Sequence, residues 1–162
     1  MGKSQKPLWV GLSKSTEIKI VIMEIKEIQD EIIDEFSSFE DWMERYEYII
    51  DLGKSVPEMK ESSKTNDNLI KGCQSKVWLD TEMKEGKLIF TADSDAILTK
   101  GIIALLLRVY SDQSPKDILE NELYFVDKIG LKEHLSPTRA NGLVSMIKQF
   151  KLYALAYQAK LS

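Results

Sequence analysis

The stretch "NLIKGCQSKVW", residues 68–78, holds the only cysteine of the 162-residue chain. Cys73 follows Gly72, which permits an unusual backbone conformation or a close approach, and precedes an apolar run that would hold the end of its loop. A thiol presented in this way is a candidate nucleophile. The thiolate is the reacting form, and at an unperturbed pKa near 8.5 only about 3% of a thiol is ionised at pH 7. Activation therefore calls for a nearby cation, a helix N-terminus or a partner's site. Lys71 and Lys76 are the cations nearest in sequence. The competing reading is a small buried hydrophobe, the common fate of a free cysteine. His134, the only histidine, lies in "EHLSPTRANG". It would complete a nucleophile and base pair if it met Cys73 in space, and would otherwise bond a ring nitrogen to backbone. Arg139 stands in the first turn after Pro137, where helix N-termini favour acids over cations. It could pair with Asp93 or Asp95, hold a loop, or meet an anionic group of a partner. Asp93 and Asp95 themselves read as helix caps rather than as an acid–base dyad.

The elements that must position these groups follow from the spacing of apolar residues. Ile25, Ile28, Ile32 and Phe36 recur at helical spacing, and after Ser37-Ser38 so do Phe39, Trp42, Met43, Tyr46, Ile49 and Ile50. Ser38 with Asp41 resembles a capping box, and Gly53 is a natural stop for the second helix. Residues 54–68 are polar and contain Pro57, so they read as one long loop ending at the cysteine. Val77-Trp78-Leu79 opens a strand, Lys84-Glu85-Gly86-Lys87 is a turn, and residues 88–92 return as the second strand of a hairpin. Asp93-Ser94-Asp95 offers cap side chains to a helix over residues 96–110 that is apolar almost all round, as a central buried helix would be. Ser114-Pro115 and Ser136-Pro137 each place a cap before a proline and so open helices. Another short segment, over residues 124–129, stops at Gly130. Leu143, Ile147, Phe150, Ala154 and Tyr157 mark one face of the last helix. The outline is a single α+β domain with a small antiparallel β-sheet packed against several helices. Trp9, Trp42 and Trp78 read as packing residues.

Composition narrows the function. With 43% hydrophobic and 30% charged residues the chain can bury a core. A net charge of −4 argues against nucleic acid as a partner, since such affinity comes from cations that neutralise phosphates. One cysteine cannot form an internal disulfide, and one Cys with one His cannot make a structural zinc site. Neither GxGxxG nor GxxxxGK[ST] occurs. The longest apolar run, residues 102–107, is far short of the about 20 residues a bilayer requires, so no membrane association is expected. No secretory signal is evident, and a cytoplasmic, reducing location is expected. Residues 1–22 carry four lysines against one glutamate and show no periodicity, whereas Met23 stands just before the first regular helix. They are expected to be a non-native or disordered extension, with the domain occupying residues 23–162.

Four blocks, "YEYIIDLGKSVPEM", "NLIKGCQSKVWLD", "ADSDAILTKGIIALLL" and "HLSPTRANGL", follow one another in this order. Through them the chain resembles the SufE family of cysteine desulfuration proteins from about residue 23 onward. "GCQSKVW" is the specific part, because it matches the family's sulfur-acceptor motif GCQSxVW at every fixed position. Residues 1–22 have no counterpart. The resemblance implies the α+β fold that this family shares with IscU-type scaffold proteins. It implies that Cys73 accepts persulfide sulfur from a SufS-type cysteine desulfurase, stimulates that enzyme, and passes sulfur to a SufBCD-type scaffold for iron–sulfur cluster assembly. On this reading the chain is an accessory protein and not an enzyme. It has no cofactor or metal of its own, the pyridoxal phosphate belonging to the desulfurase. Gly72, Gln74 and Ser75 would shape the acceptor loop, and Asp95, His134 and Arg139 would support it or dock the partner. Two alternatives stand beside this: a CsdA-type desulfurase as partner in another sulfur-transfer pathway, and a stand-alone thiol enzyme built on Cys73 and His134. A homodimer is a further option.

The chemistry of a relay suits this composition. A persulfide carrier needs one accessible thiol and no neighbouring one, which would discharge the persulfide into a disulfide. Residues 54–68 are expected to let Cys73 swing between a protected and an extended position. At rest the thiol is expected to be shielded by apolar neighbours, with a raised pKa that suppresses oxidation.

Overall fold

The computed structural model describes residues 23–161, and the expectations for residues 1–22 and Trp9 lie outside them. Ile25, Ile28, Ile32 and Phe36 line one side of α1 (Ile25–Ser37) and are all buried, as their spacing predicts. Glu24 and Glu27 cap it reciprocally, each side chain accepting from the other's end of the first turn. α2 (Trp42–Gly53) starts three positions later than a Ser38 cap would place it. Its cap is Asp41, in extended backbone, whose carboxylate accepts the Glu44 N–H at 2.9 Å. Ser38 still has helical backbone angles, and its hydroxyl donates back to the Glu35 carbonyl at 3.1 Å.

Gly53 ends α2 for a reason the sequence does not display. A Cβ at Gly53 would stand 2.8 Å from the Gly101 nitrogen, and one at Gly101 would stand 2.1 Å from the Ile49 carbonyl oxygen. The two glycines let α2 and α3 (Ile97–Tyr110) cross in backbone contact. α3 is the central helix, with Leu98, Ile102, Ile103, Leu105, Leu106, Val109 and Tyr110 all buried.

β1 (Val77–Lys84) and β2 (Lys87–Ser94) pair antiparallel from Val77 opposite Ser94 to Lys84 opposite Lys87. Glu85 and Gly86 both have positive φ, 50° and 80°, as a two-residue turn of this handedness requires. Val77, Leu79, Leu88, Phe90 and Ala92 turn inward against α3 and the last helix. Four further helices follow: α4 (Pro115–Glu120), α5 (Phe125–Lys128), α6 (Leu131–His134) and α7 (Pro137–Leu161). Ser114 caps α4 as expected, accepting the Asp117 N–H at 3.1 Å. Leu143, Met146, Phe150 and Ala154 seat α7 in the core. The fold is therefore the expected single α+β domain, a two-stranded sheet among seven α-helices in the described residues.

Two further expectations change. The Asp93-Ser94-Asp95 triplet does not supply a carboxylate cap to α3, whose N-cap is Ala96 with no side-chain bond. β2 runs on to Ser94, so Asp93 remains in the strand, too far back to reach the first turn. It is instead buried between Lys64 at 3.1 Å and Lys100 at 3.3 Å. Burial opposes its charge, but the Ser94 N–H and the two lysines outweigh it and hold the carboxyl below the usual range. Residues 54–68 are likewise no free loop. Met59 is buried, 3-10 turns form at Glu61–Ser63 and Asn66–Asn68, and Lys64 ties the segment to Asp93 while lying over the Trp78 ring at 5.6 Å.

Candidate functional site

Cys73 sits near the head of a short excursion, residues 71–76, whose base is closed. The Ile70 N–H donates to the Val77 carbonyl at 2.8 Å, and Leu69 bridges to Trp78. The far end is held through Lys76. Its N–H donates to the Asp95 carboxylate at 3.0 Å, and its carbonyl accepts from the Asp95 N–H at 3.2 Å and the Ser94 hydroxyl at 2.8 Å. The near end turns at Gly72, with φ of 94°, and a Cβ there would lie 2.5 Å from the Ser145 hydroxyl of α7. The positive φ requires glycine at this position, and a Cβ would also have to turn the Ser145 hydroxyl aside.

The head of the excursion is held more lightly. The Cys73 thiol is half-buried and lies 3.6 Å from the Gly142 carbonyl of α7, a weak sulfur contact. The Ser75 and Thr99 hydroxyls are 3.4 Å apart. In front of the thiol is a cavity of about 460 Å³, walled by Gln74 and Ser75 of the loop and Asp95, Ala96, Thr99 and Ile102 at the start of α3. Thr138, Arg139, Gly142 and Met146 at the start of α7 complete it. The first turns of two helices thus meet at one cavity, and helix N-termini carry positive partial charge. Arg139, exposed and without an ion pair among the described residues, adds a full cation.

Burial pushes the Cys73 thiol up, as expected of a shielded resting state. Lys71 and Lys76 do not activate it, since neither lines this cavity and burial is the one influence on the thiol. The resting group is a neutral thiol, while the mouth in front of it suits an anionic sulfur.

The structure brings Gly72, Gln74, Ser75, Asp95 and Arg139 together with Cys73. It leaves His134 elsewhere. The His134 ring stacks on Trp42 with centroids 4.5 Å apart and planes 10° apart, and Nδ1 lies 2.8 Å from the Gly130 carbonyl oxygen. No Cys73–His134 pair is assembled. Arg139 pairs with neither aspartate, because the Asp93 oxygens are taken by Lys64 and Lys100 and Asp95 turns to the Lys76 backbone. Thr99, Gly142, Ser145 and Met146 were not legible as site residues. A glycine within the pattern of the last helix, at Gly142, was the available signal, since such a glycine usually marks a close approach. Among the described residues no cluster of His, Cys, Asp and Glu is placed to hold a metal, and no helix is long and apolar enough to cross a membrane.

The family model described as "SufE: Fe-S metabolism associated domain" matches residues 30–154. An uncharacterized SufE-like protein of Rhizobium meliloti is 43% identical over 127 residues, covering 75% of this chain and 91% of that one. A second, from Rhizobium etli, is 40% identical over 127 residues, covering 75% and 86%. The solution structure of a hypothetical protein from Thermus thermophilus shares the fold, with a TM-score of 0.67 at 20% identity over 83% of this chain and 97% of that one.

Proposed function

The chain belongs to the SufE family, associated with Fe–S metabolism, and we propose that within it Cys73 is the sulfur acceptor for a SufS-type cysteine desulfurase. One observation carries this reading. The lone thiol lies in an excursion anchored firmly at both ends and lightly at its head, in front of a cavity lined by the first turns of two helices, Arg139 and the Asp95 side chain whose carboxylate accepts the Lys76 N–H. Breaking the Cys73–Gly142 and Ser75–Thr99 contacts releases the head, and the Ile70–Val77 base stays closed. The hinge is then residues 71–76 and not the anchored segment before them.

In the transfer, the Cys73 thiolate attacks the outer sulfur of the donor's persulfide. The donor's S–S bond breaks, its cysteine leaves as a thiolate that takes up the proton Cys73 gave, and Cys73 carries the persulfide. No electrons pass to an outside group. Withdrawing from the apolar wall of Ile102 and Met146 toward two helix ends and Arg139 favours the thiolate over the resting thiol. Asp95 acts as a positioning residue through the Lys76 backbone. The chain is an accessory protein without a complete reaction of its own. It brings no cofactor, the pyridoxal phosphate being the desulfurase's, and it hands its sulfur to a SufBCD-type scaffold.

The test is alanine release from L-cysteine by a SufS-type desulfurase with and without this chain. Release should rise with the wild-type chain and fall back to the unassisted rate with Cys73→Ser. Equal stimulation by the variant would mean an activator that takes no sulfur.

A further inference from the structure

Beside the Cys73 excursion, and lined by other residues than the thiol cavity, the surface of α7 carries two neighbouring depressions. One, of about 430 Å³, reaches from Lys71 of the excursion to Lys148 and Leu152. The other, of about 340 Å³, continues from Lys148 and Leu152 to Val144, Lys151 and Leu155. Because Lys148 and Leu152 belong to both, the two form one continuous track. Val144, Leu152 and Leu155 are 50%, 45% and 56% exposed, half of the large apolar side chains that the fold leaves so open in the described residues. Exposed apolar residues scattered singly need no explanation, but three along one helix face form a patch.

The track is also net positive, with Lys71, Lys148 and Lys151 set against one carboxylate, Asp67 at its far end. Lys71, Lys148 and Lys151 make no ion pair among the described residues, although the chain as a whole carries −4. Three unpartnered cations beside an apolar stripe complement an amphipathic segment with acidic residues along one edge. The track also ends on the resting excursion itself. Gly72 touches Ser145 there, and Lys71 is the residue before it.

We infer that this track docks an acidic, amphipathic segment of the sulfur donor. The donor, and not the recipient, is the occupant because it must meet the excursion in its retracted, unloaded state. In that state the thiol faces the cavity and the Lys71–Gly72 side faces the track. A segment seated on α7 and touching Lys71 would hold the donor where the released head of the loop can reach it. This inference rests on the sulfur-acceptor reading above.

The experiment measures binding and transfer separately, using the full chain and a SufS-type desulfurase. Affinity is read by titration calorimetry for the wild type, a Lys148→Glu/Lys151→Glu variant and a Leu152→Asp/Leu155→Asp variant. All four positions are exposed or partly so, and circular dichroism checks that the variants fold. Each double variant should raise Kd at least about tenfold. The loss from charge reversal should shrink as salt rises, and the sulfur-transfer rate to Cys73 at saturating donor should stay within about twofold. Unchanged Kd in both variants, with the wild type loading normally, overturns the docking proposal and leaves the acceptor reading standing. A shift from dimer to monomer with unchanged donor affinity also overturns it, and marks the track as a contact between copies of this chain. If wild-type Cys73 takes no sulfur at all, the acceptor reading itself falls.

Discussion

Replacing Asp95 by Ala removes one defined restraint on the acceptor excursion, the 3.0 Å bond from the Lys76 N–H to its carboxylate. The Asp95 side is exposed, so the carboxylate's competition with water keeps the net worth of the bond to about 0.5–1.5 kcal/mol. The backbone bonds to the Lys76 carbonyl and the Ile70–Val77 closure do not depend on that side chain. The loss therefore falls on the local opening of residues 71–76 and not on the fold. At tenfold per 1.4 kcal/mol, the open fraction rises about 2- to 12-fold. The assay is the rate at which iodoacetamide alkylates Cys73 under native conditions, which follows the open fraction when closing is fast. Asp95→Ala should alkylate about 2- to 12-fold faster than wild type, Asp95→Asn less, since its amide oxygen can still accept, and the urea midpoint should hardly move. A wild-type alkylation rate in Asp95→Ala would refute the assignment of Asp95 as the restraint. So would a fall in the urea midpoint large enough to explain faster labelling by global unfolding.

Four other outcomes follow from the same geometry. Gly101→Ala drives a Cβ to 2.1 Å from the Ile49 carbonyl oxygen and should cost about 3 kcal/mol or more in a melting experiment, whereas Gly86→Ala, with open space around it and only its φ to strain, should cost about 1 kcal/mol. Asp93→Asn leaves Lys64 and Lys100 without their buried partner and should lower stability at pH 7 by about 2–4 kcal/mol in chemical denaturation. Because the folded pKa of Asp93 is depressed, its contribution is present above the unfolded carboxyl pKa and lost as pH falls through the folded one; the gap between wild type and Asp93→Asn should close on acidification. The Cys73 pKa is raised, so stability gained from burying the neutral thiol is complete below the unfolded thiol pKa and lost as pH rises through the folded value; the alkylation midpoint should lie above that of an unfolded Cys73 peptide. His134→Gln should leave single-turnover sulfur transfer within about threefold of wild type, since the ring packs on Trp42 and not on the thiol; a loss of 100-fold or more would restore the thiol–imidazole reading.

Much of this was legible in the sequence because local signals and packing agreed. The helix of Ile25, Ile28, Ile32 and Phe36, the hairpin about Glu85-Gly86 and the caps before Pro115 and Pro137 each announce themselves within a few residues. The thiol, its flanking residues and Asp95 were legible from the motif. What stayed hidden depends on contacts between distant positions. Gly53 reads as a helix stop until Gly101 is seen against it. Residues 54–68 read as free loop because the Lys64–Asp93 pair that anchors them spans the hairpin. Asp93 reads as a cap when only its neighbours are known. Gly142 and Ser145, on which the excursion rests, lie about 70 residues from Cys73 and carry no chemistry of their own to mark them.

The central claim is that sulfur moves onto Cys73, and single-turnover transfer tests it most directly. A SufS-type desulfurase is loaded with persulfide, mixed with this chain and quenched, and the Cys73 peptide is weighed. The account predicts a gain of about 32 Da per sulfur on the wild-type peptide and none with Cys73→Ser. An unmodified Cys73 peptide, recovered while the donor discharges its persulfide, would contradict it.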